Sequence, residues 1–121
     1  MTSITVTIPL PPADVRSNAR VHWSRRAKAI RSYRVKTKVA ALVASKSAAP
    51  LWVKASVQIT AHFPTHQHLD PSNLIDALKG AFDGLEDAKI IVNDKNLWPE
   101  RPVILTKQIN PRIELTITEE L

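Results

Sequence analysis

The stretch Asp70-Pro71-Ser72-Asn73-Leu74-Ile75-Asp76-Ala77-Leu78-Lys79-Gly80-Ala81-Phe82-Asp83-Gly84-Leu85 carries the clearest structural signals in the chain. Asp70 is a favoured helix N-cap, and Pro71 suits the first helical position because its missing N–H would have no partner there. The pattern predicts a helix from about residue 71 to residue 86. The expected buried stripe of this helix is Leu74, Leu78, Ala81, Phe82 and Leu85.

The two glycines of the chain, Gly80 and Gly84, both fall inside this predicted helix, four residues apart. Glycine in a helix interior costs about 1 kcal/mol relative to alanine. A pair on one helix face therefore indicates that another backbone approaches closely. That backbone belongs either to a neighbouring element or to a second subunit.

Alternating apolar residues on either side of this helix predict β-strands. One strand covers residues 51–62, with Val53, Ala55, Val57 and Ile59 on its apolar face. A short strand at residues 89–92 ends at Asn93-Asp94. Two more strands, joined at the turn pair Asn110-Pro111, carry Val103, Leu105, Lys107 and Ile109, then Ile113, Leu115 and Ile117.

The N-terminal part predicts one strand and one long helix. Ile4, Val6 and Ile8 alternate with threonines until Pro9 ends the strand. Ser24 is the expected N-cap of a helix that runs to about Ser45. Residues at helical spacing form its buried face: Ile30, Tyr33, Thr37, Ala40, Ala41 and Ala44.

The element order is strand, helix, strand, helix and three strands. A chain of 121 residues suits one domain with one core. We therefore predict a single α+β domain spanning residues 1–121, with two main helices packed on a mixed or antiparallel sheet of about five strands.

Charge is distributed unevenly along the chain. Residues 1–54 contain eleven Lys or Arg and one acidic residue, Asp14, whereas residues 55–121 contain six basic and ten acidic residues. Such asymmetry favours a polyanion-binding half joined to a half that holds a cation. Phosphate contacts are expected from Arg20, Arg25, Arg26, Lys28, Arg31, Arg34 and Lys38.

Composition also excludes several classes of protein. The chain has no cysteine, so disulfides and thiolate metal sites are excluded, and a metal would rest on oxygen or imidazole. No apolar run is long enough for a membrane span, and the N-terminus lacks the pattern of a signal peptide. We expect a soluble, cytoplasmic protein without a membrane partner or small-molecule cofactor.

Carboxylates, an amide and a lysine lie at the N-terminal end of the central helix, along it, and after the following strand. Asp70 and Asn73 precede Lys79, and Asp94 follows the strand at residues 89–92. A divalent cation beside a phosphate needs this set of groups, so we interpret it as a metal-dependent nuclease site. A salt-bridged outer helix face would also explain Asp76, Lys79 and Asp83.

These residues resemble the RusA family of Holliday-junction resolvases, which is common in phages and prophages. The resemblance rests on Asp70-Pro71-Ser72-Asn73-Leu74, Leu78-Lys79, Asp83-Gly84-Leu85, Ala88, Ile90-Ile91 and Asn93-Asp94. The flanks are also similar, through Asn18-Ala19-Arg20, His22-Trp23 and the segment from Pro111 to Ile117. The similar segments span nearly the whole chain.

The resemblance implies a homodimeric, magnesium-dependent endonuclease with a RusA-like fold that cuts four-way DNA junctions symmetrically, in a bacterium or a phage-infected host. Its metal ligands fall on Asp70, Asn73 and Asp94, and its catalytic residues on Asp70, Asp94 and Lys79. Manganese is the alternative cation. The second aspartate of the family motif falls on Ser72, which is neutral. Asp76 is the candidate substitute, and Asp83 is expected to pair with Lys79 or orient it.

Three hypotheses follow. The first is an active junction resolvase, and the second is a related junction-binding protein whose catalysis is weakened or lost because of Ser72. The third, a basic interaction protein without a DNA role, ranks last. A two-fold dimer would match the approximate symmetry of a four-way junction. Its contact would form through the Gly80/Gly84 face or through an apolar strand edge.

Overall fold

The computed structural model describes residues 2–16 and 20–121 and confirms the α+β class. Its helices are α1, Trp23–Ala44; α2, Pro71–Ala77; and α3, Lys79–Asp87. Short 3-10 turns cover Ala13–Val15 and Asp94–Asn96. The strands are β1, Ser3–Ile8; β2, Ala55–His62; β3, Leu97–Pro99; β4, Val103–Leu105; and β5, Arg112–Glu119.

The five strands form one mixed sheet. β1 lies at one edge beside β5, and β5 lies beside β2. Both of these pairings are antiparallel. On its other side β2 pairs in parallel with β3 and then with β4. The sheet is therefore mixed, which is one of the two arrangements predicted.

One face of the sheet is buried and the other is partly open to solvent. Residues Val57 and Ile59 of β2 and Leu115 of β5 are fully buried, whereas Gln58 and Thr116 between them are partly exposed. The buried side chains join residues of the helices, among them Tyr33 and Leu74, in one hydrophobic core. Because only one face of the sheet is buried, the helices pack on that face.

The predicted close approach at the glycine pair is confirmed, and the approaching backbone belongs to α1. A Cβ atom built on Gly80 would lie 3.2 Å from the Ile30 carbonyl oxygen, and one on Gly84 would lie 2.5 Å from the Arg34 carbonyl oxygen. At Gly84 a side chain larger than hydrogen would push the two helices apart, whereas at Gly80 the neighbouring atoms would have to shift by a few tenths of an ångström. The Gly80/Gly84 face is thus covered by α1, and the prediction that it could form a dimer contact is wrong.

Two predicted helix boundaries are corrected. His22, not Ser24, caps α1, because the His22 Nδ1 accepts a hydrogen bond of 3.2 Å from the Ser24 amide. The predicted helix over residues 71–86 divides at Leu78, where α2 ends and α3 begins. Of the predicted buried stripe, Phe82 alone is partly exposed.

Several strand predictions are wrong in extent or phase. Residues 89–92 form no strand, because Ile91 makes only an isolated bridge to Trp52. At the bridge Trp52 is buried and Val53 is exposed, opposite to the predicted alternation. The regular strand β2 therefore begins at Ala55, later than predicted.

The predicted strand through Lys107 and Ile109 shortens to β4, in which Ile104 faces the core instead of Val103 and Leu105. β3 was not predicted. Both β3 and β4 contain three residues, too few to show a period of two.

None of the helices in the described part of the chain combines the length and apolar character that crossing a membrane requires.

Candidate metal and nucleic-acid site

Asp70 caps α2, as predicted, and draws the neighbouring motif residues around its carboxylate. Its Oδ1 accepts hydrogen bonds from the Asn73 amide at 2.9 Å and from the Ser72 hydroxyl at 3.1 Å. Its Oδ2 accepts one from Asn73 Nδ2 at 3.1 Å. The structure therefore brings Asp70, Ser72 and Asn73 together as a capping turn on the protein surface.

Asp94 meets a different carboxylate, that of Asp83 on α3. The carboxyl groups of Asp83 and Asp94 lie close enough to interact. Desolvation raises the pKa of Asp83, and Asp94 raises it further, both through the hydrogen bond that a protonated Asp83 can make to it and through its negative charge. We call Asp83 and Asp94 the carboxylate pair. The prediction that Asp83 orients Lys79 gains no support from this arrangement.

A turn anchored on α3 positions Asp94. The Asp94 amide donates a hydrogen bond of 2.8 Å to Glu86 Oε1. The Asn93 side chain begins the 3-10 turn by accepting a hydrogen bond of 3.0 Å from the Lys95 amide. Glu86 thus helps to position the backbone of Asp94, a role that sequence reasoning missed. Glu86 lies in α3 and Asp94 lies in the 3-10 turn, so the periodicity of a single helix or strand could not have indicated this contact.

A cavity of about 360 Å³ lies beside the carboxylate pair, between α1 and the α2–α3 segment. Asp76, Lys79 and Asp83 line it from the α2–α3 segment. The α1 side contributes Arg26 and the buried ring of Tyr33, whose hydroxyl donates a hydrogen bond of 2.7 Å to the Pro9 carbonyl. Of the residues predicted to form the site, Asp76, Lys79 and Asp83 are therefore brought together here.

The predicted phosphate-contacting residues divide into two groups. Arg25 binds Asp14 at 2.8 Å, and Arg34 makes two hydrogen bonds to Asp87 at 2.6 and 2.8 Å. Arg26 Nη2 donates to the Arg16 carbonyl at 2.8 Å. These internal partners explain why cations are tolerated in the first turn of α1 without an external anion. The other members, Arg20, Lys28, Arg31 and Lys38, have exposed side chains.

Lys36 adds a further exposed cation to α1. It lines a shallow groove with Lys28 and Arg31, although the sequence reasoning did not select it. Asn18 and Ala19, which contribute to the family resemblance, lie outside the described residues.

The carboxylate pair has a donor set that fits a hard divalent cation. Magnesium is commonly held by one or two carboxylates together with substrate phosphates and water. In the ranges 2–16 and 20–121, no group of three or more His, Cys, Asp or Glu side chains could hold an ion by itself.

The carboxylate pair predicts an unusual stability effect for Asp83→Asn. A raised folded-state pKa means that ionising Asp83 opposes folding above that pKa, and this cost disappears as the pH falls through it. We expect Asp83→Asn to increase the free energy of unfolding at pH 7 by about 0.5–1 kcal/mol, the range for a solvent-screened charge pair. The gain should shrink towards pH 4 in urea titrations without metal.

Asp87→Asn on the same helix is the matched control. Hydrogen bonding to Arg34 lowers the pKa of Asp87, so its ionised form stabilises the fold above its unfolded pKa and this stabilisation is lost as the pH falls. The control should therefore lose stability at pH 7. A loss of stability in Asp83→Asn as well would contradict the conclusion that ionised Asp83 opposes folding.

Comparison with known proteins finds a bacterial relative that matches part of the chain. The chain is 36% identical over 86 residues to a protein of Xylella fastidiosa (strain Temecula1 / ATCC 700964) described as uncharacterized. The matched residues are 69% of this chain and 56% of that relative, so the chain spans little more than half of the relative's length. No family model matches the chain.

Proposed function

We propose that this protein is a metal-dependent endonuclease that cleaves DNA at four-way junctions. The observation that carries the proposal is the carboxylate pair of Asp83 and Asp94, beside a cavity that also contains Lys79. The sequence resemblance described above supplies the substrate class. Magnesium is the proposed cation, with manganese as the alternative.

The proposed metal ligands are the oxygens of Asp83 and Asp94. A bound divalent cation neutralises charge on the scissile phosphate and lowers the pKa of a bound water. Asp70 and Asn73 remain proposed ligands through the resemblance alone, because their side chains satisfy each other in the capping turn. The proposed site therefore centres on α3 and not on the start of α2.

Lys79 is the proposed electrostatic catalyst. Its side chain is exposed at the wall of the cavity, on the same helix as Asp83. A fixed ammonium group near the scissile phosphate stabilises the additional negative charge that develops in the transition state. Asp76 lines the same cavity and remains the proposed substitute for the motif carboxylate that Ser72 replaces.

The exposed cations of α1 are the proposed binding surface for the DNA backbone. Lys28, Arg31 and Lys38 project from a helix that contains no acidic residue. Contacts of this kind give affinity that is independent of sequence and weakens as salt rises. A homodimer is proposed because two equivalent active sites suit paired cuts across an approximately two-fold junction.

Cleavage of a labelled synthetic four-way junction tests this function. The wild-type protein should cut the junction at paired positions with Mg²⁺ or Mn²⁺, should not cut it with EDTA, and should leave a linear duplex of the same sequence intact. Junction binding without cleavage under all three conditions would contradict the enzyme and favour the binding protein discussed next.

A junction-binding protein with weakened catalysis is the second candidate function. The observation that favours it is the Ser72 hydroxyl, which donates a hydrogen bond to Asp70 where the resembled motif has a second carboxylate. If this candidate is correct, Ser72→Asp should increase metal-dependent cleavage at least several-fold, with Ser72→Ala as the control. An unchanged rate in Ser72→Asp would exclude Ser72 as the cause of weak activity.

A further inference from the structure

A second cavity, of about 290 Å³, lies between the end of the first 3-10 turn and the loop that leads to α2. Arg16 lines it from the first of these segments. Among the described residues, the rest of its wall consists of four apolar side chains and three polar ones: Leu10, Phe63, Pro64 and Leu69, and Thr65, Gln67 and His68. The volume is close to the lower end of the range for small-molecule sites, about 300–1,000 Å³. We call it the Arg16 cavity, and none of its described lining residues lines the cavity that contains Lys79.

The guanidinium group of Arg16 lacks a partner within residues 2–16 and 20–121. Its Nε atom is buried and donates no hydrogen bond there. The described ion pairs do not include Arg16, whereas Arg25 and Arg34 each pair with an aspartate. A buried donor without an acceptor costs free energy, and a charged donor costs more. The side chain of Arg16 therefore points to an anionic ligand that would offset this cost.

The backbone on both sides of the Arg16 cavity is held in place by hydrogen bonds. The Arg16 amide donates to the Ala13 carbonyl at 3.2 Å, and the Arg16 carbonyl accepts a hydrogen bond of 2.8 Å from Arg26 Nη2. In the facing loop, the Gln108 amide donates to the Phe63 carbonyl at 2.9 Å. Walls that are fixed before binding reduce the entropy lost when a ligand binds.

The polar side chains of the facing loop have donors left for a ligand. Thr65 Oγ1 accepts a hydrogen bond of 3.2 Å from the Gln67 amide, so its own hydrogen can be donated elsewhere. His68 Nδ1 lies 2.8 Å from the Leu69 carbonyl oxygen. Because a carbonyl only accepts, His68 Nδ1 carries the hydrogen of that bond. The Arg16 cavity therefore combines one cation and one hydroxyl donor with largely apolar walls.

We propose that the Arg16 cavity binds a small organic acid, with its carboxylate against Arg16 and its apolar part against Phe63 and Leu69. One guanidinium matches one carboxylate in charge and in planar geometry. None of the described residues that line the cavity is acidic, so a carboxylate meets no like charge there. A phosphate group fits less well, because it carries up to two charges and three acceptor oxygens among walls that supply one cation.

The burial of Nε determines where the carboxylate binds. Arg16 as a whole is partly exposed, and Nε is its buried, unpartnered nitrogen. The carboxylate would therefore accept hydrogen bonds from the two terminal Nη atoms. The positive charge of guanidinium is delocalised over all three nitrogens, so pairing at the Nη atoms also compensates the desolvation of Nε.

The volume of the Arg16 cavity suits an acid that contains one ring. An apolar cavity of about 150 Å³ is large enough for benzene, so about 290 Å³ leaves room for a ring and a carboxylate. The rings of Phe63 and His68, with centroids 6.0 Å apart, offer an aromatic wall for such a ring. Benzoate is therefore a suitable probe. A ligand of this size is expected to bind with a dissociation constant on the order of 1 mM.

The proposal is independent of the proposed nuclease, and its readout is ligand binding, not cleavage. We would titrate the whole chain with sodium benzoate to about 20 mM at constant ionic strength, roughly twenty times the expected dissociation constant, and follow the backbone amide signals by NMR. Benzamide is the uncharged analogue, and inorganic phosphate tests the other oxyanion. Arg16→Met removes the guanidinium, and Arg101→Met is the control at an exposed arginine elsewhere.

The wild type and Arg101→Met should show saturable shifts of the amide signals of residues 65–69 with benzoate. Binding should be at least about tenfold weaker for benzamide, for phosphate and in Arg16→Met, since each removes or mismatches the carboxylate–guanidinium pair. The absence of saturable benzoate binding, equal binding by Arg16→Met, or phosphate binding as tight as that of benzoate would overturn the proposal.

Thermal unfolding without ligand provides a second measurement on the same variants. Arg16→Met should melt at the wild-type temperature or above it, because replacing an unpaired guanidinium by an apolar side chain removes a desolvation cost. A clearly lower melting temperature in Arg16→Met than in Arg101→Met would show that the guanidinium stabilises the fold by itself, and it would overturn the argument for a ligand.

Discussion

Asp94→Asn and Asp83→Asn should each lower the rate of junction cleavage by at least about 100-fold while leaving junction binding intact. Each substitution removes a carboxylate charge from the pair that is proposed to hold the cation. A metal ion supplies several kcal/mol of transition-state stabilisation, and each 1.36 kcal/mol lost lowers the rate tenfold. Single-turnover cleavage and gel-shift titration on the same junction measure the two effects.

Binding should remain, or become tighter, because each variant removes negative charge that repels the DNA backbone. Asp87→Asn is the control, since Asp87 lies on the same helix but binds Arg34. Its cleavage rate should stay within a few-fold of the wild-type rate. Normal cleavage by Asp83→Asn together with loss of cleavage by Asp70→Asn would move the metal site to the capping turn and contradict the present assignment.

Gly84→Ala should cause a large loss of stability without touching the carboxylate pair. The new Cβ would lie 2.5 Å from the Arg34 carbonyl oxygen and 2.9 Å from the Thr37 Cβ, so α1 and α3 would have to separate. Overpacking of this kind costs about 1–3 kcal/mol or more, against a gain of about 1 kcal/mol in helix propensity. We expect a net loss of about 2 kcal/mol and a melting temperature lower by roughly 6–12 °C.

Gly80→Ala is the matched control one helical turn earlier. Its Cβ would lie 3.2 Å from both the Ile30 carbonyl oxygen and the Ile30 Cγ2, a contact that a small shift relieves. We expect its stability to remain within about 1 kcal/mol of wild type, because mild overpacking and the gain in propensity oppose each other. Equal thermal stability of the two variants would show that α1 and α3 are not packed as closely as the structure has them.

The parts of the fold that were predicted correctly depend on local signals. Asp70 and Pro71 locate the start of α2 through capping chemistry, and the alternation of Ile113, Leu115 and Ile117 identifies β5. The glycine pair also indicated that another backbone approaches this helix closely. The sequence could not say that α1 makes this contact, because the pairing of helices depends on tertiary packing.

The parts that were predicted wrongly depend on contacts between distant segments. Residues 89–92 have strand-like composition, but the chain there turns after one bridge between Ile91 and Trp52. In the site, the resemblance implied Asp70 and Asp94 as the principal metal ligands, which stays a prediction, whereas the contact between Asp83 and Asp94 was not predicted. A turn anchored on Glu86 produces that juxtaposition, and no periodic pattern records it.

The most direct test of the central claim is a thermal unfolding titration with MgCl₂, repeated with MnCl₂, on the wild type and on Asp83→Asn, Asp94→Asn and Asp87→Asn. At a cation concentration ten times the dissociation constant, binding to the folded state adds about 1.4 kcal/mol, or roughly 4–8 °C in melting temperature. We expect this rise for the wild type and Asp87→Asn, its reversal by EDTA, and its absence in Asp83→Asn and Asp94→Asn. An unchanged wild-type melting temperature, or an equal rise in all four proteins, would contradict a metal site at Asp83 and Asp94.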